Sequence, residues 1–154
     1  FSDVNASDWY AKYVGFAAEK KIVSGYEDGT FAPNANITRE EFAAMICRFM
    51  GYELIENESF TDVPAEHWAR NYIDTLKAHG ILSGYEDGSF GIGRQIVRGE
   101  VIVMINRALG RVPSDEKVQA YLLEHGYPAS DIEGHWAAPN IIEAMAEHNT
   151  NLLH

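Results

Sequence analysis

Two arginines stand 59 positions apart, Arg39 and Arg98, and each is followed two residues later by a glutamate, Glu41 or Glu100. An arginine at the start of a helix can hold a carboxylate through paired, charge-assisted hydrogen bonds, at a place where the free backbone N–H groups already favour anions. It can equally pair with one of the chain's own 23 acidic side chains, because surface ion pairs are common and cheap. Three tryptophans, Trp9, Trp68 and Trp136, each open a segment of helical apolar periodicity. They can stack on sugar rings or anchor a core, and their register predicts mixed use with the core role contributing most. Asp28-Gly29 and Asp87-Gly88 close two copies of Ser-Gly-Tyr-Glu-Asp-Gly, which is turn chemistry. Calcium would need oxygen ligands at alternate positions and a glutamate at the twelfth. That alternation is missing, so each Asp is expected to cap its own backbone. Glu41 and Glu100 read first as helix caps, and Asp3 and Asp62 as turn formers.

Other chemistries find little support. The six histidines, His67, His79, His125, His135, His148 and His154, form no HExxH or other zinc-ligand spacing. No nucleophile elbow, P-loop or dinucleotide fingerprint is present. The lone Cys47 rules out an internal disulfide and lies beside an apolar stripe, where packing is the expected role. No metal, cofactor or catalytic residue is therefore assigned. Net charge is 12 − 23 = −11 with His neutral, the opposite of a nucleic-acid footprint and poorly suited to an anionic membrane surface. The longest purely aliphatic run, Val101 to Ile105, is far too short to insert in a membrane. Apolar residues at 46% and charged residues at 23% predict a buried core. The chain opens at Phe1 without Met or signal peptide, so it reads as part of a longer protein.

The elements that must position these residues come from a duplication. Shifted by 59, residues 1–51 match residues 60–110 at 21 positions without a gap. A third copy starts at Asp131-Ile132-Glu133-Gly134-His135-Trp136 and breaks off after Met145, where His148-Asn149-Thr150 replaces the Gly-Ile-Leu of the second copy. Each full copy reads as helix, turn-rich loop, helix. First helices are expected near 9–20, 68–79 and 136–147, and second helices over 39–50 and 98–109. Thr38 and Glu41 have the spacing of a capping box, with Phe42, Met45, Ile46 and Phe49 as the stripe and Gly51 as terminator. Val97 replaces the threonine in the second copy, so that box lacks one partner. Residues 111–128 match neither copy, and Ser114, Val118, Tyr121, Leu122 and Gly126 predict a short bracing helix there.

Phe-x-Asp-Val, then Trp, then Gly-Tyr-x-Asp-Gly-x-Phe, then Ile-Thr-Arg-x-Glu resembles the S-layer homology (SLH) motif, well over 1–51 and 60–110 and in part over 129–147. The resemblance implies one mainly α, three-lobed domain over 1–154, with copies at 1–51 and 60–110, an insertion at 111–128 and a partial third copy at 129–154. A pseudo-threefold bundle follows, since one helix-loop-helix cannot bury its own stripe and stacked copies can. The implied function is non-covalent anchoring of an extracellular, wall-associated protein to an anionic, often pyruvylated, secondary cell wall polysaccharide, without catalysis. Carried over by position, the groove residues are Arg39, Glu41, Arg98, Glu100, Trp9, Trp68, Trp136, Asp28, Gly29, Asp87 and Gly88. The half copy has neither the Asp-Gly loop nor the arginine, so two equipped grooves are expected at most. On this reading Arg39→Ala weakens glycan binding and leaves the melting temperature nearly unchanged. A protein–protein or oligomerisation module using the same grooves is the competing reading, and an enzyme fragment the distant third.

Overall fold

Helices begin where the sequence supplies something to hold their free N–H groups. The protein, seen as a computed structural model that describes residues 1–57 and 60–146, has six helices. They are α1 (Ala11–Glu19), α2 (Arg39–Met50), α3 (Arg70–Ala78), α4 (Arg98–Ala108), α5 (Asp115–His125) and α6 (Ala138–Met145). Among the described residues the only β pairing is one antiparallel bridge, Thr38 with Gln95, so the fold is mainly α. The expected end of the third first-helix at 147, and His148 and His154, lie outside the described residues.

At α2 the Thr38 hydroxyl accepts the Glu41 N–H at 3.3 Å and Glu41 Oε2 accepts the Thr38 N–H at 2.8 Å, completing the box. Gly51 ends the helix at φ +66°, a left-handed turn that a side chain would resist. At α4 the Glu100 carboxylate accepts the Val97 N–H at 3.2 Å, and Val97 has no oxygen to return the bond. Ser114 caps α5 by accepting the Lys117 N–H, and Gly126 closes it.

The first helices start two residues later than the tryptophans suggested, at Ala11, Arg70 and Ala138. Each Trp sits in the preceding turn and is exposed, by 81, 55 and 61% in chain order, so the expected core role is corrected. In the second and third copies His67 Nδ1 and His135 Nδ1 accept the N–H of Ala69 and Ala137. These imidazole-capped turns bury the alanine, fully in both cases, and leave the indole outside.

The chain divides into two compact units, 1–96 and 97–154. In the first unit α2 packs on α3. Phe42, Ile46 and Cys47 meet a core that includes Ile73, Leu76, Ile81 and Phe90, the last four at most 2% exposed. Burying side chains of this size contributes about 1.5–3 kcal/mol each. Arg70 is a buried brace: Nε reaches Asp74 at 3.1 Å, Nη1 the Val63 carbonyl at 2.9 Å, and Nη2 the Asn57 carbonyl at 2.6 Å. In contrast, among the described residues α1 packs on no other helix of its unit, and Val14 is its one buried residue, leaving Tyr13 and Phe16 exposed. In the second unit α4 packs on α6 and α5 braces α6, as expected of the insertion helix.

Candidate functional site

Each full copy ties its turn loop to its own beginning. The Asp3 carboxylate accepts the N–H groups of Phe31 and Ala32 at 2.8 and 2.7 Å, and Asp62 accepts those of Phe90, Gly91 and Ile92 at 2.7, 2.7 and 3.2 Å. These aspartates sit in the opening turns, as their sequence position suggested, and from there act as long-range clamps. The Phe31 amide chiefly holds Asp3 below its usual value, against some burial. For Asp62 burial pushes upward most strongly, and the amides of Phe90, Gly91 and Ile92 together outweigh it, so the net shift is also downward. Gly25 lies where a Cβ would collide with the Phe1 ring and sit 2.6 Å from the Thr30 carbonyl. Glycine is required there by close approach.

Inside the loop, Asp28 accepts the Thr30 hydroxyl and N–H, and Asp87 accepts the same pair from Ser89. Both carboxyls are held low by those bonds, the hydroxyl first. Gly29 and Gly88 each take φ +81°. All four residues are exposed at the loop tips, with each aspartate occupied by its own turn. No group of three or more metal-ligating side chains occurs among the described residues.

Between the first loop and α2 runs a groove of about 510 Å³, closed at one edge by Trp68. Its polar walls are Tyr26, Asn36, Glu41 and Arg48, and its apolar floor includes Phe31, Pro33, Ala44 and Met45. The Tyr26 hydroxyl donates to Glu41 Oε1 at 3.1 Å; burial first, then Glu41, pushes that phenol upward. Arg48 donates to the Tyr72 hydroxyl at 3.3 Å, and its guanidinium lies 5.2 Å from the Tyr72 ring centroid, inside the reach of about 6 Å for a cation–π contact. Trp68 stands exposed at the rim. Of the residues nominated from sequence, this groove brings together Glu41 and Trp68. Arg48 and Tyr26 were missed, although Glu41, Met45 and Arg48 fall at i, i+4 and i+7 on one helical face.

Arg39 is not in the groove. It is 6% exposed, sealed in the seam between the start of α2 and the second loop. Its Nη2 donates to the Ser83 carbonyl at 2.8 Å, and its guanidinium lies 5.0 Å from the centroids of both Tyr85 and Phe90. The neighbouring Glu40 accepts the Gly93 N–H at 3.1 Å, and the Arg39 N–H reaches the Arg94 carbonyl at 2.9 Å. Truncating such a side chain perturbs the fold, so the expected unchanged melting temperature of Arg39→Ala no longer follows.

Arg98 is exposed, in the second unit. There Trp136 and His135 lie against Gly99, where an added Cβ would come within 3.2 and 3.1 Å of them. Arg98, Glu100 and Trp136 thus share the entrance of α4. Trp9 stands apart from the groove, edge-on to Tyr10. Cys47 is buried, its thiol donating to the Tyr72 carbonyl and pushed up to about 12 by burial, which fits packing and not nucleophilic chemistry.

Known proteins carry the same pattern. The family model described as S-layer homology domain matches residues 1–43 and 59–102. Cell surface glycoprotein 1 of Acetivibrio thermocellus is 34% identical over 162 residues, which takes in 97% of this chain and 7% of that protein. The cellulosome-anchoring protein of the same organism is 35% identical over 156 residues, again 97% of this chain and 33% of its own length. The surface layer protein of Brevibacillus choshinensis is 37% identical over 98 residues, 60% of this chain and 9% of that one. The chain thus spans a third or less of the length of these relatives. With both full copies matched and their order kept, the chain belongs to the S-layer homology domain family.

Proposed function

We propose that this chain is a non-catalytic module that anchors its parent protein at the bacterial cell surface, and that the groove of the first unit holds a wall polysaccharide. The observation that carries this reading is the groove's wall chemistry. One concavity offers the exposed Trp68 indole, the Arg48 guanidinium, the Glu41 carboxylate and the Tyr26 phenol. A sugar ring can lie on the indole, its hydroxyls can bond to Glu41 and Tyr26, and an acidic substituent can meet Arg48. The volume lies within the usual range of about 300–1,000 Å³ for small-molecule sites. The polymer is an anionic secondary cell wall polysaccharide, with a pyruvate ketal as the acidic group. The protein's charge of −11 opposes it at long range, but that repulsion is screened beyond about 8 Å at physiological salt. Names of relatives such as the cellulosome-anchoring protein and the middle cell wall protein of Brevibacillus brevis support an anchoring role. The same reading keeps residues 1–154 as one domain with its third copy incomplete, and gives Arg98, Glu100 and Trp136 to a second, weaker contact with the polymer.

The test is a pull-down on purified wall sacculi, with and without chemical removal of the polysaccharide. Wild-type protein should sediment with intact sacculi only. Trp68→Ala should cut retention roughly tenfold or more, taking the loss of a sugar-stacking indole as comparable to the about 1–3 kcal/mol that an aromatic platform contributes to a stacked nucleobase. Equal retention of Trp68→Ala, or retention on stripped sacculi, would sink the groove reading. Protein contact is the second reading, and the exposed Tyr13 and Phe16 on the unpartnered α1 are what favour it.

A further inference from the structure

The internal duplication provides its own control, because the same slot occurs twice and is filled once. In the second copy the slot is made by the Ser83 carbonyl and the faces of Tyr85 and Phe90, and Arg39 of the first copy fills it. A short backbone exchange locks the plug in place: the Arg39 N–H donates to the Arg94 carbonyl at 2.9 Å, and the Ile96 N–H to the Ile37 carbonyl at 3.1 Å. Phe90 is completely buried as a result.

In the first copy the matching slot is made by the Ser24 carbonyl, Tyr26 and Phe31, with the same spacing in the chain. It is open. Tyr26 is 48% exposed and Phe31 is half-buried. Arg94, which lies 4.5 Å from the Tyr85 ring, has Ala35 as its counterpart, and among the described residues no Lys or Arg stacks on the Tyr26 ring. The corresponding plug is Arg98, and it too is unused. It is exposed and makes no hydrogen bond or ion pair with the described residues. The backbone groups that would repeat the locking exchange are likewise uncommitted among the described residues: Arg98 N–H with Ala35 C=O, and Ile37 N–H with Ile96 C=O.

We infer that the Arg98 end of one molecule docks in the Ser24–Tyr26–Phe31 slot of a second copy, repeating between molecules the contact that joins the first two copies within one. Charge favours this pairing. Residues 22–37 contain Glu27 and Asp28 and no Lys or Arg, Glu41 flanks the slot, and the incoming group is a guanidinium. Plug and slot are different surfaces, so the contact is head-to-tail and leaves one of each free at the ends. It therefore propagates into strings or rings and does not stop at a twofold dimer. Gly99 stands where Glu40 locks the internal contact, so the intermolecular version lacks one hydrogen bond and is the weaker of the two. Because Tyr26 and Phe31 also line the groove, a neighbour and a wall glycan compete for the same space.

Sedimentation velocity across about 10 µM to 1 mM protein, where weak contacts register, tests the inference without any wall polymer. Wild-type protein should show a weight-average mass that keeps rising with concentration. Arg98→Ala and Tyr26→Ala should each stay monomeric, and Arg98→Ala should melt like wild type because its side chain is exposed and unbonded among the described residues. An equal mixture should form dimers and nothing larger, since one intact plug and one intact slot remain. A monomeric wild type, an Arg98→Ala variant that associates normally, or a mixture that stays monomeric would overturn it. No wall polymer is present in this experiment, so failure of self-association is read apart from failure of retention on sacculi.

Discussion

Arg39→Ala separates a structural arginine from a ligand-binding one. The substitution removes the bond to the Ser83 carbonyl and two ring contacts from a side chain that is 6% exposed. A hydrogen bond from a charged donor contributes about 1.5–3 kcal/mol. Each ring adds about 0.5–2 kcal/mol. Part of this sum is returned because the guanidinium need no longer be desolvated, so the net loss should be about 2–4 kcal/mol. In a unit of 96 residues each kcal/mol lowers the midpoint by about 4–8 °C, so the transition of the first unit should drop by about 8–30 °C. Calorimetry of the whole chain measures it, and raising salt should change the difference little, because buried groups are weakly screened. Arg39→Met should recover about half the loss: a thioether can fill the space between the rings, and Ser83, being exposed, can bond to water. If Arg39→Ala melts within about 2 °C of wild type while losing retention on sacculi, then Arg39 is a ligand residue and the seam described above does not hold the fold.

Further predictions follow from other contacts. Asp62 has its folded pKa below 3.8, so it stabilises the fold above the unfolded value and that contribution disappears as pH falls through the folded one. Asp62→Asn should therefore lower the midpoint at pH 7 and flatten the decline expected of wild type below about pH 4; parallel pH–midpoint curves would refute the clamp. Cys47, with its pKa pushed up to about 12, should be alkylated at pH 8 only as fast as the chain unfolds. Rapid labelling of the native protein would contradict its burial. Deleting residues 129–154 removes α6 and uncovers Val103, Met104 and Asn106 of α4, so what remains of the second unit should lose cooperative melting. A sharp second transition in the truncated chain would show that α4 needs no cover.

The helical plan could be read from sequence because its signals are local. Capping at Thr38–Glu41 and Ser114, termination at Gly51 and Gly126, and the two second helices depend on neighbours within four residues. The site was less accessible, for a physical reason. The position of Arg39 depends on Ser83, Tyr85 and Phe90, more than forty residues away, and no spacing rule reports which side of α2 a distant loop covers. Trp9, Trp68 and Trp136 mislead because their apolar periodicity starts one turn before the helix does. The turns capped by His67 and His135 redirect the chain so that alanine, not indole, meets the core. Arg48 lies on the same helical face as Glu41 but outside the Ile-Thr-Arg-x-Glu element.

The sequence repeat and the packing repeat are out of step by half a period. Within each unit the second helix of one copy packs on the first helix of the next: α2 on α3, and α4 on α6. Even the details recur, with Cys47 donating to the Tyr72 carbonyl and its aligned partner Asn106 donating to the carbonyl of Asn140, the residue aligned with Tyr72. The stable block is therefore loop-second helix-next first helix, and the motif as written in sequence is not a folding unit. Two consequences follow from the offset. A half third copy is what α4 requires, since α6 covers it and a further second helix would need a further partner. At the opposite end α1 and the first loop, the counterparts of α3 and the second loop, have no second helix packed on them among the described residues. That is why Tyr13, Phe16 and Tyr26 are exposed while their counterparts in the next copy, Tyr72, Thr75 and Tyr85, are wholly or partly covered. Exposed aromatic surface at this end thus follows from the offset within residues 1–154, and it is the surface most able to meet a neighbour or a polymer.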